Sequence, residues 1–415
     1  MTAQEREPLD VAAVREDFPV LDRTVDEDTP LVYLDNAATA QTPERVIEAM
    51  SRYYREYNAN VHRGIHQLSM EASIEYEEAH DRLAAFVGAG GREEIIFTKN
   101  TTEAINLVAN AWGRAHLSAD DAVVLTEMEH HASHVTWQQV AAQVGADLRF
   151  IEVDEDGRLD MDSARSVIDD DVAIVSVAHV SNVLGTVNPL ADLADLAHDH
   201  GARILGDGAQ AVPNRPVDVD ALDVDFYAFS GHKMAGPTGI GVLYGRQALL
   251  EDMDPFLFGG EMIERVTRRD ATWNELPWKF EAGTPPIAEG IGLAEAADYL
   301  DSIGLERIQA HEEGVTTYAH ERLRERDDVE VYGPPPQADR TGLVSFNLDD
   351  VHAHDLSSLL NEQGVAIRAG DHCAQPLHDV LGVPASARAS FYLYNTREEV
   401  DVLLSALDGA AELFA

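Results

Sequence analysis

Val224-Asp225-Phe226-Tyr227-Ala228-Phe229-Ser230-Gly231-His232-Lys233 is the stretch on which the reading of this chain turns. Its apolar run predicts a buried strand, and a lysine stands just past the end. Lysine is scarce here: Lys99, Lys233 and Lys279 are the only three in 415 residues. Most lysines snorkel at the surface, but one kept beside serine and histidine at a strand end puts Schiff-base chemistry ahead. Working outward, Ala122–Thr126, Val172–Ala178, Arg203–Gly206 and Ile240–Tyr244 also read as strands. Helical patterns such as Leu190 to His200, closed by Gly201, lie between them. The alternation predicts an α/β layer with a largely parallel sheet. His130 and His131, Asn182, Asp207 and Lys233 fall after successive strands, where ligands gather in open α/β sheets.

The net charge is -45, from 75 acidic and 30 basic residues, and 45% of the chain is hydrophobic. Such a balance repels nucleic acid and anionic membrane surfaces. Acid excess spread along the chain, with arginine in place of lysine, predicts a halophilic protein whose self-repulsion is screened by salt. Met1 to Asp10 lacks the basic and apolar regions of a secretory signal. No apolar run reaches the ~18 residues of a spanning helix. With a single cysteine, these features lead us to expect a cytoplasmic protein. The helical pattern from Ile287 to Asp301 marks the passage between two domains. We expect a large domain over residues 31–294 and a smaller one built from 1–30 and 295–415.

The lone cysteine, Cys373, lies in Arg368-Ala369-Gly370-Asp371-His372-Cys373-Ala374-Gln375-Pro376. It can form neither an internal disulfide nor a multi-thiolate metal site. A lone cysteine is often a small buried hydrophobe, but imidazole and guanidinium neighbours favour a thiolate nucleophile. Asp207 is either a helix cap or the carboxylate partner of a protonated pyridine nitrogen. Thr98 to Leu107 reads as a strand end, a turn and a helix start, with Thr101 or Thr102 as N-cap. That helix is either an ordinary capped one or a phosphate site. No thiolate or carboxylate partner set accompanies His130-His131-Ala132-Ser133-His134, so an imidazole stacked on a cofactor ring is preferred to a metal site. His311-Glu312-Glu313-Gly314 reads as a solvated helix face.

Five motifs then occur in order: Tyr33-Leu34-Asp35-Asn36-Ala37-Ala38-Thr39; Phe97-Thr98 with Thr101-Thr102-Glu103-Ala104-Ile105-Asn106; Asp207-Gly208-Ala209-Gln210; Ser230-Gly231-His232-Lys233; and Arg368-Ala369-Gly370 with His372-Cys373-Ala374. The set resembles the class V aminotransferase-like, fold-type I pyridoxal phosphate enzymes, and within them the SufS-type (group II) cysteine desulfurases. The resemblance implies pyridoxal 5'-phosphate held as a Schiff base by Lys233. It implies Asp207 on the pyridine nitrogen, Gln210 on the ring hydroxyl and His131 stacked on the ring. Thr102, Ser230 and His232 would bind the phosphate, joined by Thr284 from the other subunit of a homodimer. Asn36, Asn182 and Arg388 would hold the substrate, Arg388 by its carboxylate. L-Cysteine would lose its sulfur to Cys373 as a persulfide and leave as L-alanine, with Lys233 as base at Cα. The sulfur would pass to an acceptor of the SufE or SufU type, or to the SufBCD scaffold, for iron–sulfur cluster assembly.

Two departures from the family pattern stand out. Asp371 replaces a frequent histidine, and a carboxylate beside a thiol disfavours the thiolate. Lys99-Asn100 replaces Arg-Gly, and asparagine is expected to supply glycine's left-handed conformation. His354 matches a histidine of members that work with a zinc-bearing SufU-type acceptor, and is otherwise a surface histidine. A selenocysteine lyase or cysteine-sulfinate desulfinase would use the same lysine chemistry. A transaminase would not need Cys373, and the intact set of Lys233, Asp207, Arg388 and Cys373 speaks against a non-catalytic scaffold that merely retains the cofactor.

Overall fold

The computed structural model describes residues 8–26 and 28–414. Seven strands form the central sheet: β1 (Ile95–Thr98), β2 (Ala122–Thr126), β3 (Asp147–Ile151), β4 (Val172–Ala178), β5 (Arg203–Asp207), β6 (Phe226–Ser230) and β7 (Gly241–Gly245). Their order is β1-β7-β6-β5-β4-β2-β3. All neighbours pair in parallel except those of β7, which runs antiparallel to both β1 and β6. The expected α/β layer is thus present, with one antiparallel member.

Side chains on this sheet alternate between two apolar layers, as strand geometry requires. Tyr227 and Phe229 face one cluster, into which α1 (Gln67–Val87) sends Tyr76 and Leu83. Phe226 and Ala228 face the other, filled by α2 (Thr101–Leu107) and α3 (His131–Val144) through Ile105 and Trp137. With both faces covered, the central strands are buried along their length and read as unbroken apolar runs. The edge strand β3 instead shows Asp147 and Arg149, charges that discourage pairing with another chain. Helix α4 (Leu190–Asp199) and helix α5 (Ile287–Ile303) close the Tyr227 side.

A second, antiparallel sheet contains β8 (Val329–Tyr332), β9 (Leu343–Leu348), β10 (Arg368–Gly370) and β11 (Ser386–Ser390), in the order β8-β9-β11-β10. Helices α6 (Leu305–Arg324), α7 (Ala353–Glu362) and α9 (Arg397–Phe414) cover it, while the short α8 (Gln375–Leu381) follows Cys373. The amino-terminal segment divides between the two cores. Val14, Phe18 and Leu21 pack in the large cluster, and Val32 and Leu34 in the smaller one. Among the described residues no helix is long and apolar enough to cross a membrane.

The expected solvated face at His311–Gly314 requires correction. Glu312 is 1% exposed, and neither carboxylate oxygen has a hydrogen-bond partner among the described residues. Thr316 and His320, on the same helix face, are also buried and unpartnered. Helix α6 is wedged between two cores, which leaves this face no solvent. Burial drives the Glu312 carboxyl well above its ordinary 4.5, so the folded chain keeps a proton that the unfolded chain releases. Rising pH above 4.5 therefore destabilises the fold through this group, at up to about 1.4 kcal/mol per pH unit. Thermal melts of Glu312→Gln should exceed wild type above that pH, with a gap that widens as pH rises and closes in acid. A constant gap would mean that ionisation of Glu312 is not the cause.

Candidate active site

A pocket of about 230 Å³ opens at the carboxyl ends of the parallel strands. Asn182, Asp207, Lys233, Cys373 and Arg388 share its lining. Asp207 ends β5 in register with Ala178 of β4 and Ala228 of β6. Burial raises its carboxyl, opposed by the N–H of Ala209, which donates to Oδ1 at 2.9 Å, and by Lys233. Lys233 lies in the single turn Gly231–Lys233 that follows β6. Burial lowers its ammonium to about 8; Asp207 and Cys373 pull it up, Arg388 and Arg368 down. An amine with such a value is largely available as a nucleophile in mild alkali.

At the other end, α2 begins beside Ser230. Ser230 Oγ accepts the Thr101 N–H at 2.9 Å and lies 2.6 Å from Thr101 Oγ1. Thr102, more exposed, and His232 complete the wall. The N-cap is Asn100 rather than either threonine: its Oδ1 accepts the Glu103 N–H at 3.0 Å. Asn100 is extended, with φ -177°, so the expected left-handed turn is not used. Close packing explains the neighbouring Gly241, where a Cβ would fall 2.6 Å from Asn100 Cα.

The histidine placement also needs correction. His130, not His131, lines the pocket. His130 precedes α3 and accepts the Ala132 N–H on Nδ1 at 3.0 Å. Burial, then Lys233, lowers its pKa to about 3, so the ring is neutral. The turn into α3 directs His131 towards the Cys373 loop. Its Nε2 accepts the Gln375 N–H at 3.1 Å, and its own N–H donates to Cys373 O at 2.7 Å. Asn36 does not line this pocket but an adjoining one, which it shares with Gln210 and Lys233. Its Nδ2 donates to Ser390 O at 2.6 Å and Asn395 Oδ1 at 3.0 Å, and its Oδ1 accepts from the Tyr394 hydroxyl. Gln210 does line the pocket, with Nε2 donating to Ala37 O at 2.6 Å. Thr284 is exposed on a different surface pocket and does not reach this site within one chain.

Cys373 is exposed on a strained loop: Gly370, His372 and Cys373 have φ of 131°, 50° and 57°. The Asp371 carboxylate is turned to the main chain, where Oδ1 accepts the Cys373 N–H at 2.9 Å. Asn182 Nδ2 donates to His372 O at 2.7 Å, while Asn182 O accepts from Arg388 Nη1 at 2.6 Å. The buried His372 ring packs its Nε2 3.1 Å from Ser386 O. Arg388 is fully enclosed and contacts Asp35, as does Arg368 at the pocket mouth. Sequence reasoning left Asp35, Thr101 and His130 without their roles in this site. In the sequence Asp35 is marked only by adjacency to Asn36, Thr101 by its place as a candidate N-cap and His130 by its strand-end position.

The donor set fits pyridoxal phosphate. It combines an amine, a buried carboxylate, a neutral imidazole and hydroxyls at a helix N-terminus. Residues 32–403 match the family described as aminotransferase class-V. The chain is 65% identical to a cysteine desulfurase of Haloferax volcanii, with 100% of both chains covered. Among solved structures, an apo cysteine desulfurase from Thermococcus onnurineus is 41% identical with a TM-score of 0.92, covering 100% of this chain and 99% of that one. The cysteine desulfurase CsdA from Escherichia coli is 39% identical with a TM-score of 0.91, covering 99% and 100%.

The lowered Lys233 value yields a pH prediction. Capture of pyridoxal phosphate by cofactor-free protein, followed by absorbance, should accelerate about tenfold per pH unit below about 8 and level off above it. A rate still climbing towards pH 10 would show an amine with its ordinary basicity.

Proposed function

The chain belongs to the aminotransferase class-V family and is a pyridoxal phosphate-dependent cysteine desulfurase, and from that premise we propose that it moves the sulfur of L-cysteine onto Cys373 and delivers it for iron–sulfur cluster assembly. The observation that carries this reading is the presence of Cys373, Lys233, Asp207 and Arg388 in one pocket wall. Bound pyridoxal phosphate supplies an electron sink for the bond changes at the substrate Cα. Asp207 would hold the proton of the ring nitrogen, and Gln210 would meet the ring hydroxyl. His130, which lines the pocket, would face the ring in place of His131. Thr102, Ser230 and His232 would hold the phosphate.

Arg388 binds the substrate carboxylate beside Asn182, so the amino acid enters with its side chain towards Cys373. Lys233 removes the Cα proton and returns it during turnover. The Cys373 thiolate attacks the substrate sulfur. A sulfur–sulfur bond forms as the carbon–sulfur bond breaks, and its electron pair stays with the substrate, which leaves as L-alanine after protonation.

We also propose a homodimer. Ile65 is 97% exposed and Phe258 68%, with Tyr54, Met70 and Ile74 also exposed, an apolar surface that a second copy would cover. Thr284 then reaches the phosphate of the partner subunit. Light scattering should give a particle of two 45.4 kDa chains; a lone chain carrying full activity would remove Thr284 from the site. The sulfur acceptor, of the SufE or SufU type or the SufBCD scaffold, docks in the cytoplasm over the Cys373 loop. His354 stands by that loop, with Nε2 3.8 Å from where a Cβ on Gly370 would lie.

The deciding assay incubates holoenzyme with L-cysteine and a reductant in high potassium chloride and measures alanine. Wild type should form alanine and Cys373→Ala should lose it. Equal alanine from both would favour a selenocysteine lyase or cysteine-sulfinate desulfinase, in which sulfur departs without Cys373.

A further inference from the structure

The conspicuous motif Tyr33–Thr39 is not accounted for by Asn36, whose amide is tied to Ser390 O and Asn395 Oδ1. Its neighbour Asp35 faces the site from behind. Arg368 and Arg388 are direct cross-strand partners on β10 and β11. Like charges opposite one another on adjacent strands destabilise a sheet. Here the two guanidiniums also share a pocket wall, and Arg388 has only 2% of its side chain exposed. Asp35 lies against both. Arg368 Nε is 3.2 Å from each Asp35 oxygen, and Arg388 Nη2 is 3.5 Å from Oδ1. The strand holding Asp35 is itself fixed, since Asp35 bridges in parallel to Ser390 and Leu34 O accepts the Ser390 N–H at 2.7 Å.

We propose that Asp35 is the positioning residue of the carboxylate clamp: it holds Arg388 and Arg368 side by side against their repulsion, and it sets the clamp's preference for substrates with a single carboxylate. Two cations offset by one fixed anion leave one net positive charge, which a monocarboxylic amino acid neutralises. Without Asp35 the clamp carries a second uncompensated charge and favours an amino acid whose side chain bears another anion. Asp35 acts through the arginines and does not line the pocket. The inference rests on the proposed role of Arg388 at the substrate carboxylate.

The test titrates pyridoxal phosphate-loaded wild type, Asp35→Asn and Asp35→Glu with L-alanine and L-aspartate, following the cofactor absorbance. In Asp35→Asn the ratio of the two dissociation constants should shift towards L-aspartate by roughly tenfold, the effect of one unit charge at short range. Asp35→Glu should restore most of the wild-type ratio, which loss of a merely structural residue would not predict. An unchanged ratio in Asp35→Asn, or identical behaviour of the two variants, would overturn the proposal. Should Asp35→Asn fail to fold, Arg368→Gln removes charge from the same clamp and should shift the ratio towards L-alanine; no shift there would overturn it equally. Arg388→Lys separates the two readings. If it weakens both amino acids while Asp35→Asn leaves the ratio unchanged, the Asp35 inference alone fails. If it leaves both constants untouched, the carboxylate role of Arg388 fails and takes the inference with it.

Discussion

An acid and an amine that burial pushes in opposite directions must coexist in one pocket, and the rest of the structure depends on that pairing. Removing Asp207 and Lys233 from water raises the carboxyl and lowers the ammonium, and each group offsets the other's shift. The parallel strands create both conditions. Their apolar runs keep the surroundings dry, and their shared register brings the ends of β5 and β6 side by side. A second acid, Glu129, sits close by. Burial lifts it to about 8, even though it accepts from Thr126 Oγ1 at 2.7 Å and the Ala178 N–H at 2.8 Å. Its proton is thus held up to mildly alkaline pH, and Asp207, not Glu129, lines the pocket.

Cys373, the proposed nucleophile, is held by the opposite strategy. Cys373 is exposed, and its loop places two consecutive non-glycine residues in the left-handed region. Each such residue costs on the order of 1–3 kcal/mol and persists only where its surroundings over-determine it. Here four contacts do so: the Asp371 carboxylate on the Cys373 N–H, the His131 N–H on Cys373 O, Asn182 on His372 O, and the buried His372 ring against Ser386. The residue that departs from the family pattern, Asp371, is thus accounted for by backbone geometry. An aspartate accepts an N–H two residues ahead more readily than a histidine can.

How much of this was legible in the sequence follows from what one-dimensional patterns record. Strand period and burial made β2, β4, β5 and β6 readable to within a residue or two, and with them the strand-end positions of Asp207 and Lys233. Side-chain direction at an element's first residue was not readable. Whether His130 or His131 enters the pocket depends on where α3 begins, and whether Asn100 or Thr101 caps α2 depends on a single φ. Asn36 and Asp35 differ by one position along an irregular segment, which carries no period to assign them to faces. Glu312 misled because a charged run on a helix is usually solvated; only packing between two cores made it otherwise. Thr284 faces away from its own chain's pocket, so no intrachain pattern reports on it.

Asn182 bonds both the substrate-facing arginine and the cysteine loop from the large domain. Lys233 and Asp207 belong to the large sheet, whereas Arg388 and Cys373 belong to the smaller sheet and the loop that follows it. Asn182, carried past the end of β4, binds Arg388 through its carbonyl and the Cys373 loop through its amide. On the proposed roles, a substrate gripped by Arg388 and attacked by Cys373 needs those two groups placed together against Lys233, because small misplacements of reacting atoms cost large factors in rate. If either sheet shifted alone, Arg388 and Cys373 would part from Lys233. With Asn182 bonded to both, Arg388 and the Cys373 loop are tied to the sheet that carries Lys233, through one side chain and its own carbonyl.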